Sequence, residues 1–150
     1  MMNNPKNQKS ISKYIKIENY KVFDYEIPEI FLDFVIKKNA VYVTTKLKLV
    51  KINKNAKNLI LDGTDIIIKK VFIDDSLIEE EYYKQQKNYL KIKNINKDNF
   101  SLKIEGIIKP KENTSLLGMY ESNGIITTQC EAEGFRRISY HSDRRDILSK

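Results

Sequence analysis

The sequence predicts an all-β domain: an antiparallel, sandwich-like or saddle-like arrangement of many short strands. Three observations lead there. Apolar residues recur at every second position in one segment after another. Short clusters rich in Asn, Asp, Gly and Lys separate those segments. No stretch of convincing helical period lies between them. Period two gives each strand one buried and one wet face, as in antiparallel sheets packed on one side.

The elements follow in order. Residues 1–16 are polar and aperiodic and are expected to form a flexible amino-terminal arm; residues 17–150 are expected to form the β domain. From Tyr25, Ile30, Leu32, Phe34 and Ile36 fall on one face and Asp33 and Lys37 on the other. "AVYVTTKLKLVKI" continues with Val41, Val43, Thr45, Leu47 and Leu49 on one side, and "KKNA" between the two runs predicts a hairpin connection. In "NLILDGTDIIIKKVFID" the Asp62–Gly63 pair predicts a tight turn, because glycine tolerates positive φ. Asp74–Asp75 predicts a second turn. The acids Glu79 to Glu81 suit a helix start, but alternation around Tyr89, Leu90, Lys91 and Ile92 favours strand, turn, strand. "FSLKIEGIIKP" alternates Phe100, Leu102 and Ile104 with Ser101, Lys103 and Glu105 until Pro110 stops it. "LLGMY" and "GIITTQC" predict two further short strands.

A chain of 150 residues with 41% hydrophobic and 31% charged residues can bury a real core as one domain. It offers no secretory signal and no run near the ~20 apolar residues of a membrane span, so it reads as soluble and cytoplasmic. The net charge of +7 invites nucleic acid, yet the distribution argues against it. Residues 1–115 hold 22 lysines against 15 acids, and residues 116–150 hold five of each sign. The lysines alternate with aliphatics, which is how the solvated face of a sheet reads. No nucleic-acid and no membrane partner is expected.

A catalytic zinc site takes about three protein ligands, and this chain has one His and one Cys, His141 and Cys130. Glu131 and Glu133 could join them only on paper. No H-E-x-x-H sequence and no glycine-rich phosphate loop is present. No catalytic residue and no metal ligand is therefore assigned.

One stretch departs from the Lys- and Ile-rich vocabulary: "TTQCEAEGFRRIS", residues 127–139. If "TTQCEAE" is extended, Gln129 and Glu131 project from one face and Cys130 from the other. An amide carbonyl and a carboxylate two residues apart can together accept from a protonated amine, which has three donors and no acceptor. The plainer reading is that Glu131 and Glu133 pair with Arg136 and Arg137. Residue chemistry leaves both open.

The block "NTSLLGMYESNGIITTQCEAEGFRRISYHSDRRDI" closely resembles N-T-x-L-x-G-L-Y-x-S…T-Q-C-E-A-E-G-F-R-x-I-T-x-x-x-D-R-P-D-V of bacterial aminopeptidase N. That family comprises zinc metallopeptidases that remove single residues from peptide amino termini. The likeness runs more thinly back through "LILDGTDI" and "NYKVFDYEI", covering residues 17–150. It implies a β-rich amino-terminal domain whose Q-C-E-A-E-G loop reaches an active site. Gln129 and Glu131 would there hold the substrate's free amine, and a cis peptide would follow Glu131. It also implies that zinc and catalysis belong to a downstream domain, so that this chain alone lacks the zinc site and is inactive. By the family pattern the β domain is incomplete at its C-terminal end. Arg145 replaces the motif's Pro, and His141 stands where an aromatic residue is usual. The implied partners are a peptide amino terminus and a separately encoded aminopeptidase catalytic domain. The competing expectation is a stand-alone binding module that recognises peptide amino termini or a protein partner.

Overall fold

The computed structural model describes residues 17–131 and 133–150; the arm expected at 1–16 lies outside the described residues. Ten strands follow in order: β1 (Tyr25–Ile36), β2 (Val41–Lys51), β3 (Leu59–Asp62), β4 (Ile67–Ile73), β5 (Ser76–Leu77), β6 (Tyr83–Gln85), β7 (Tyr89–Ile92), β8 (Asn99–Ile108), β9 (Gly118–Ser122) and β10 (Ile125–Gln129). They form a five-stranded sheet in the order β1-β2-β8-β4-β5, a three-stranded sheet β3-β7-β6 and a ribbon β9-β10. Every pairing is antiparallel. The fold is all-β, and among the described residues the helices are single 3-10 turns. None is long and apolar enough to cross a membrane.

The alternation read from the sequence sets the inner face. Val41, Val43, Thr45, Leu47 and Leu49 of β2 are buried, as are Phe100, Leu102 and Ile104 of β8. The register brings Thr45, Leu47 and Leu49 opposite Ile104, Leu102 and Phe100. From the three-stranded sheet come Leu59 opposite Ile92 and Leu61 opposite Leu90, all four fully buried. Both inner faces join one hydrophobic cluster. Each such aliphatic side chain contributes about 1.5–3 kcal/mol on burial.

β1 changes phase along its length. Tyr25 and Ile27 face inward, then the register against β2 shifts between Glu26 and Glu29, and Ile30, Leu32 and Phe34 take over the inner face. Pro28 sits in that irregularity on an edge strand, where a missing N–H costs no ladder bond. Ile36, expected inside, lies at the corner of the sheet and is exposed.

The turns divide by mechanism. Asp74 and Asp75 both adopt positive φ, as do Asn123 and Gly124. Each pair closes a two-residue hairpin of the type that matches strand twist. The Asn123–Gly124 signal was present in the sequence and joins β9 to β10. The Asp62–Gly63 expectation is corrected: β3 and β4 belong to different sheets, so no hairpin forms there. Glycine is needed at 63 for space, because a Cβ there would overlap the Tyr140 ring. Glu80–Tyr82 makes one 3-10 turn before β6, and β6 and β7 form the strand, turn, strand unit.

Gly63→Ala is expected to lose about 3 kcal/mol in urea denaturation, at the upper end of overpacking costs. Adding Tyr140→Ala should cost less than the sum of the two single changes, because the clash is then gone. Strict additivity would remove Tyr140 as the reason for the glycine.

Candidate amine-binding site

β10 delivers the site. Its last residue, Gln129, is exposed, Cys130 turns half-buried toward the core, and Glu131 is exposed again. The chain then doubles back: the Gly134 N–H donates to the Cys130 carbonyl at 3.2 Å, and Glu133 adopts φ 70°. A Cβ on Gly134 would stand 2.8 Å from Cys130 Cα and 2.9 Å from the Gln129 carbonyl oxygen. The loop is closed by backbone lying on backbone, and only glycine fits. Ala132 lies outside the described residues, and with it the cis peptide expected after Glu131.

The two arginines are occupied elsewhere. Arg136 Nε donates to Asp143 Oδ2 at 2.9 Å and its terminal nitrogen donates to the Asp143 carbonyl at 2.9 Å. It also stands 3.5 Å from Glu133 and 3.9 Å from Asp62. Asp62 in turn accepts from the Asp143 N–H at 3.0 Å. Arg137 pairs with Asp65, and its stem lies over Gly118, whose φ of 77° and crowding both exclude a side chain. The pairing considered from sequence thus holds for Glu133 with Arg136. Glu131 makes no ion pair among the described residues.

The segment after the loop is its anchor. Ile138, Ser139, Tyr140, His141 and Ser142 are all buried. Ser139 shares a hydrogen bond with Thr45 of β2 at 3.0 Å. The Tyr140 hydroxyl accepts from Gln85 Nε2 at 2.9 Å and donates to the Ile66 carbonyl. Its burial raises the phenol well above the ordinary range, so that proton stays in place. His141 donates its N–H to the Asp62 carbonyl and sets its ring edge-on to Phe135 at 5.7 Å.

Two further placements concern the lone cysteine and a possible metal. Burial, then the nearby Asp143 carboxylate, pushes the Cys130 thiol up, away from thiolate character. Zinc does not fit the residues present: among the described residues no group of three or more His, Cys, Asp or Glu could hold a metal ion. Two surface cavities of about 530 Å³ open elsewhere. One is lined by Gln85, Asn113 and Arg137, the other by Phe23, Asn58 and Ser142, and neither by Gln129 or Glu131. Gln129 and Glu131 are both exposed, but the extended stretch expected over 127–133 stops at Gln129, and Glu131 stands in the turn that follows rather than on the strand.

The profile described as Peptidase M1 N-terminal domain matches residues 17–150. The chain belongs to that family. Aminopeptidase N of Haemophilus influenzae is 35% identical to this M1 amino-terminal domain over 139 residues, which is 93% of the chain and 16% of that protein. Aminopeptidase N of Escherichia coli is 36% identical over 132 residues, 88% of the chain and 15% of that protein. The chain therefore spans about a sixth of the length of these relatives. Among solved structures, Legionella pneumophila aminopeptidase A in complex with aspartic acid matches at TM-score 0.80 and 31% identity, over 90% of this chain and 16% of that one. Native leukotriene A4 hydrolase of Saccharomyces cerevisiae matches at TM-score 0.67 and 21% identity over 84% of this chain and 22% of that one, a likeness of fold alone.

Sequence reasoning missed the supporting residues of this M1 domain. Asp143 and Asp62 were not seen as the partners of Arg136, because they lie 7 and 74 positions away and only the fold joins them. Gly134 and Gly118 stand within the motif that carries the resemblance, but the reason for each, close approach of Cys130 and of the Arg137 stem, is visible only in the fold.

His141 gives a pH-dependent consequence. Burial lowers its pKa, outweighing the opposing pull of Asp143 and Asp62, and its Nδ1 has no hydrogen-bond partner. Below about 6.5 the unfolded chain takes up a proton that the folded state refuses, so stability is full above that pH and falls as pH drops toward the depressed folded value. His141→Phe is expected to flatten the melting temperature against pH below about pH 6.5. Identical slopes for the two proteins would rule out His141 as the source.

Proposed function

We propose that this chain is the recognition part of a zinc aminopeptidase, presenting Gln129 and Glu131 to the free amino terminus of a peptide. The observation that carries the reading is the pair itself: two exposed acceptors, two residues apart at the end of β10. The neighbouring cations Arg136 and Arg137 are engaged by Asp143, Glu133, Asp62 and Asp65. An ammonium group needs acceptors that are not already satisfied, and a carboxylate locked to arginine has little left to give. The similarity to aminopeptidases N at 35% and 36% identity supports the same direction.

In a zinc aminopeptidase hydrolysis runs on the metal, and the donor set of the described residues does not supply a site for one. Zinc would be held by a separately encoded or covalently joined catalytic domain, with Gln129 and Glu131 fixing where the amine lies. Orientation of this kind is worth a large share of a rate when reacting groups must meet within about 3–3.5 Å. A second reading uses the same acceptors without catalysis, as a stand-alone module that recognises peptide amino termini. Binding by the chain in the absence of any companion would favour it.

In an assembly with a catalytic domain of the family, Glu131→Ala is expected to raise KM for free-amine peptides roughly 10- to 100-fold, the cost of one charge-assisted hydrogen bond. It should also narrow the preference over an acetylated twin. An unchanged preference would remove Glu131 from the amine site. Alone, the chain is expected to show no stoichiometric zinc by elemental analysis and no hydrolysis of alanine anilides.

A further inference from the structure

Asn123 is the one asparagine of this chain that is followed by glycine, and the fold sets that pair at the tip of the β9–β10 hairpin. Asn123 and Gly124 are both exposed, with φ of 51° and 80°. The turn closes through the Ser122–Ile125 pair, so the Gly124 N–H takes no part in the ladder. Gly124 stands in open space: a Cβ built there would meet no atom within 4 Å.

Other asparagines in turns are held by their carboxamides. Asn53 Nδ2 donates to Asp24 at 2.8 Å, and its Oδ1 accepts from the Asn55 N–H at 3.1 Å. Asn113 Nδ2 donates to the Leu117 and Met119 carbonyls at 2.7 and 2.9 Å, and its Oδ1 accepts from Ser115. Among the described residues the Asn123 carboxamide has no such partner. Lys54 and Thr114, which follow the two held asparagines, also carry side chains that crowd the backbone nitrogen. Gly124 carries none.

We propose that Asn123 is a site of spontaneous covalent modification, converting through a cyclic imide to aspartate and isoaspartate, and that the isoaspartate form unfastens the β9–β10 hairpin from its tip. The Gly124 nitrogen bonds to Asn123 Cγ, the bond from Cγ to Nδ2 breaks, and ammonia leaves with the proton that Gly124 gave up. Water then opens the imide at either of its carbonyls. The net change is ammonia released and water consumed, with no oxidant, reductant or cofactor. Ring closure requires Asn123 to leave the turn conformation. The tip allows this by fraying, because β9 and β10 form a sheet of only two strands. The base is held more firmly, with Met119 buried and Gly118 under the Arg137 stem. Isoaspartate routes the main chain through the former side-chain carbon and lengthens a two-residue turn by one backbone atom. Ser122 and Ile125 then no longer meet in register, and β10 slackens ahead of the loop it delivers. This holds whether or not Gln129 and Glu131 receive an amine.

The test incubates the whole chain at mildly alkaline pH and maps its peptides by mass spectrometry, with isoaspartate read by an isoaspartate-specific methyltransferase. Asn123 is expected to convert ahead of Asn53 and Asn113. Asn123→Gln, which must close a larger ring, should lose the signal at 123. Hydrogen exchange of the aged chain should show protection lost at the Tyr120, Ser122, Ile125 and Thr127 amides and kept at Leu47 and Leu102 of β2 and β8. Asn123→Asp supplies the charge without the extra backbone atom and should keep protection at all six. If Asn123 converts no faster than Asn53 and Asn113, the modification site is overturned. If the isoaspartate form keeps its hairpin protection, or Asn123→Asp loses it equally, the unfastening is overturned.

Discussion

The structure depends on one insertion: residues 138–142 pass into the interior, with the Tyr140 ring lying on Gly63. That contact joins three parts that the topology keeps separate. Gly63 belongs to the crossing between two sheets, Gln85 to the β6 end of the three-stranded sheet, and Tyr140 to the segment that follows the loop. The ring fills the space where a Cβ would be, and its hydroxyl is satisfied by Gln85 and Ile66. A buried tyrosine whose polar tip is partnered gives large apolar contact without an unsatisfied donor. The loop is thereby held between two fixed points, β10 on one side and the buried segment on the other. A loop with both ends fixed loses less entropy when it receives a ligand.

The same economy governs the charges. Three carboxylates, Glu133, Asp143 and Asp62, surround the Arg136 guanidinium, and Asp143 and Asp62 are tied to each other through a backbone N–H. Arginine presents a planar fork of five donors and can satisfy several acceptors at once. One cation thus takes up the negative charge closest to the loop, and Arg137 is drawn to Asp65 on the other side. Among the described residues Glu131 is the loop acid without an ion pair. Its availability follows from how completely its neighbours are matched.

Much of this was legible in sequence, and the illegible part has a common cause. Alternation at β2 and β8 named the inner face residue by residue, because one face of each strand is dry and period two records that. The loop declared itself by composition, and its resemblance to aminopeptidase N indicated the family. What failed was every feature that depends on two distant segments meeting. Gly63 was read through its φ preference, yet what excludes a side chain is Tyr140, 77 positions later. The phase change in β1 could not be read from alternation alone, since a bulge inverts the pattern at a point that only the partner strand defines. The Arg136 network was hidden for the same reason, since its partners are scattered in sequence.

An exposed rim also explains why recognition and catalysis would be divided between parts of an enzyme. Across ~4 Å an ammonium and a carboxylate attract by about 1 kcal/mol in bulk water and about 4 kcal/mol at an effective dielectric near 20. Gln129 and Glu131 stand in the first regime, where water competes for every donor and acceptor. On the proposed amine reading, the same two side chains would become selective only under a second surface that excludes water and adds acceptors, because an acetylated terminus would then leave the carboxylate desolvated and unmatched. Geometry is supplied by the β scaffold, through a strand end, a glycine-closed loop and a buried anchor. Strength is supplied by enclosure. A rigid but open acceptor pair is therefore well suited to be one half of a site, with specificity that appears only on assembly.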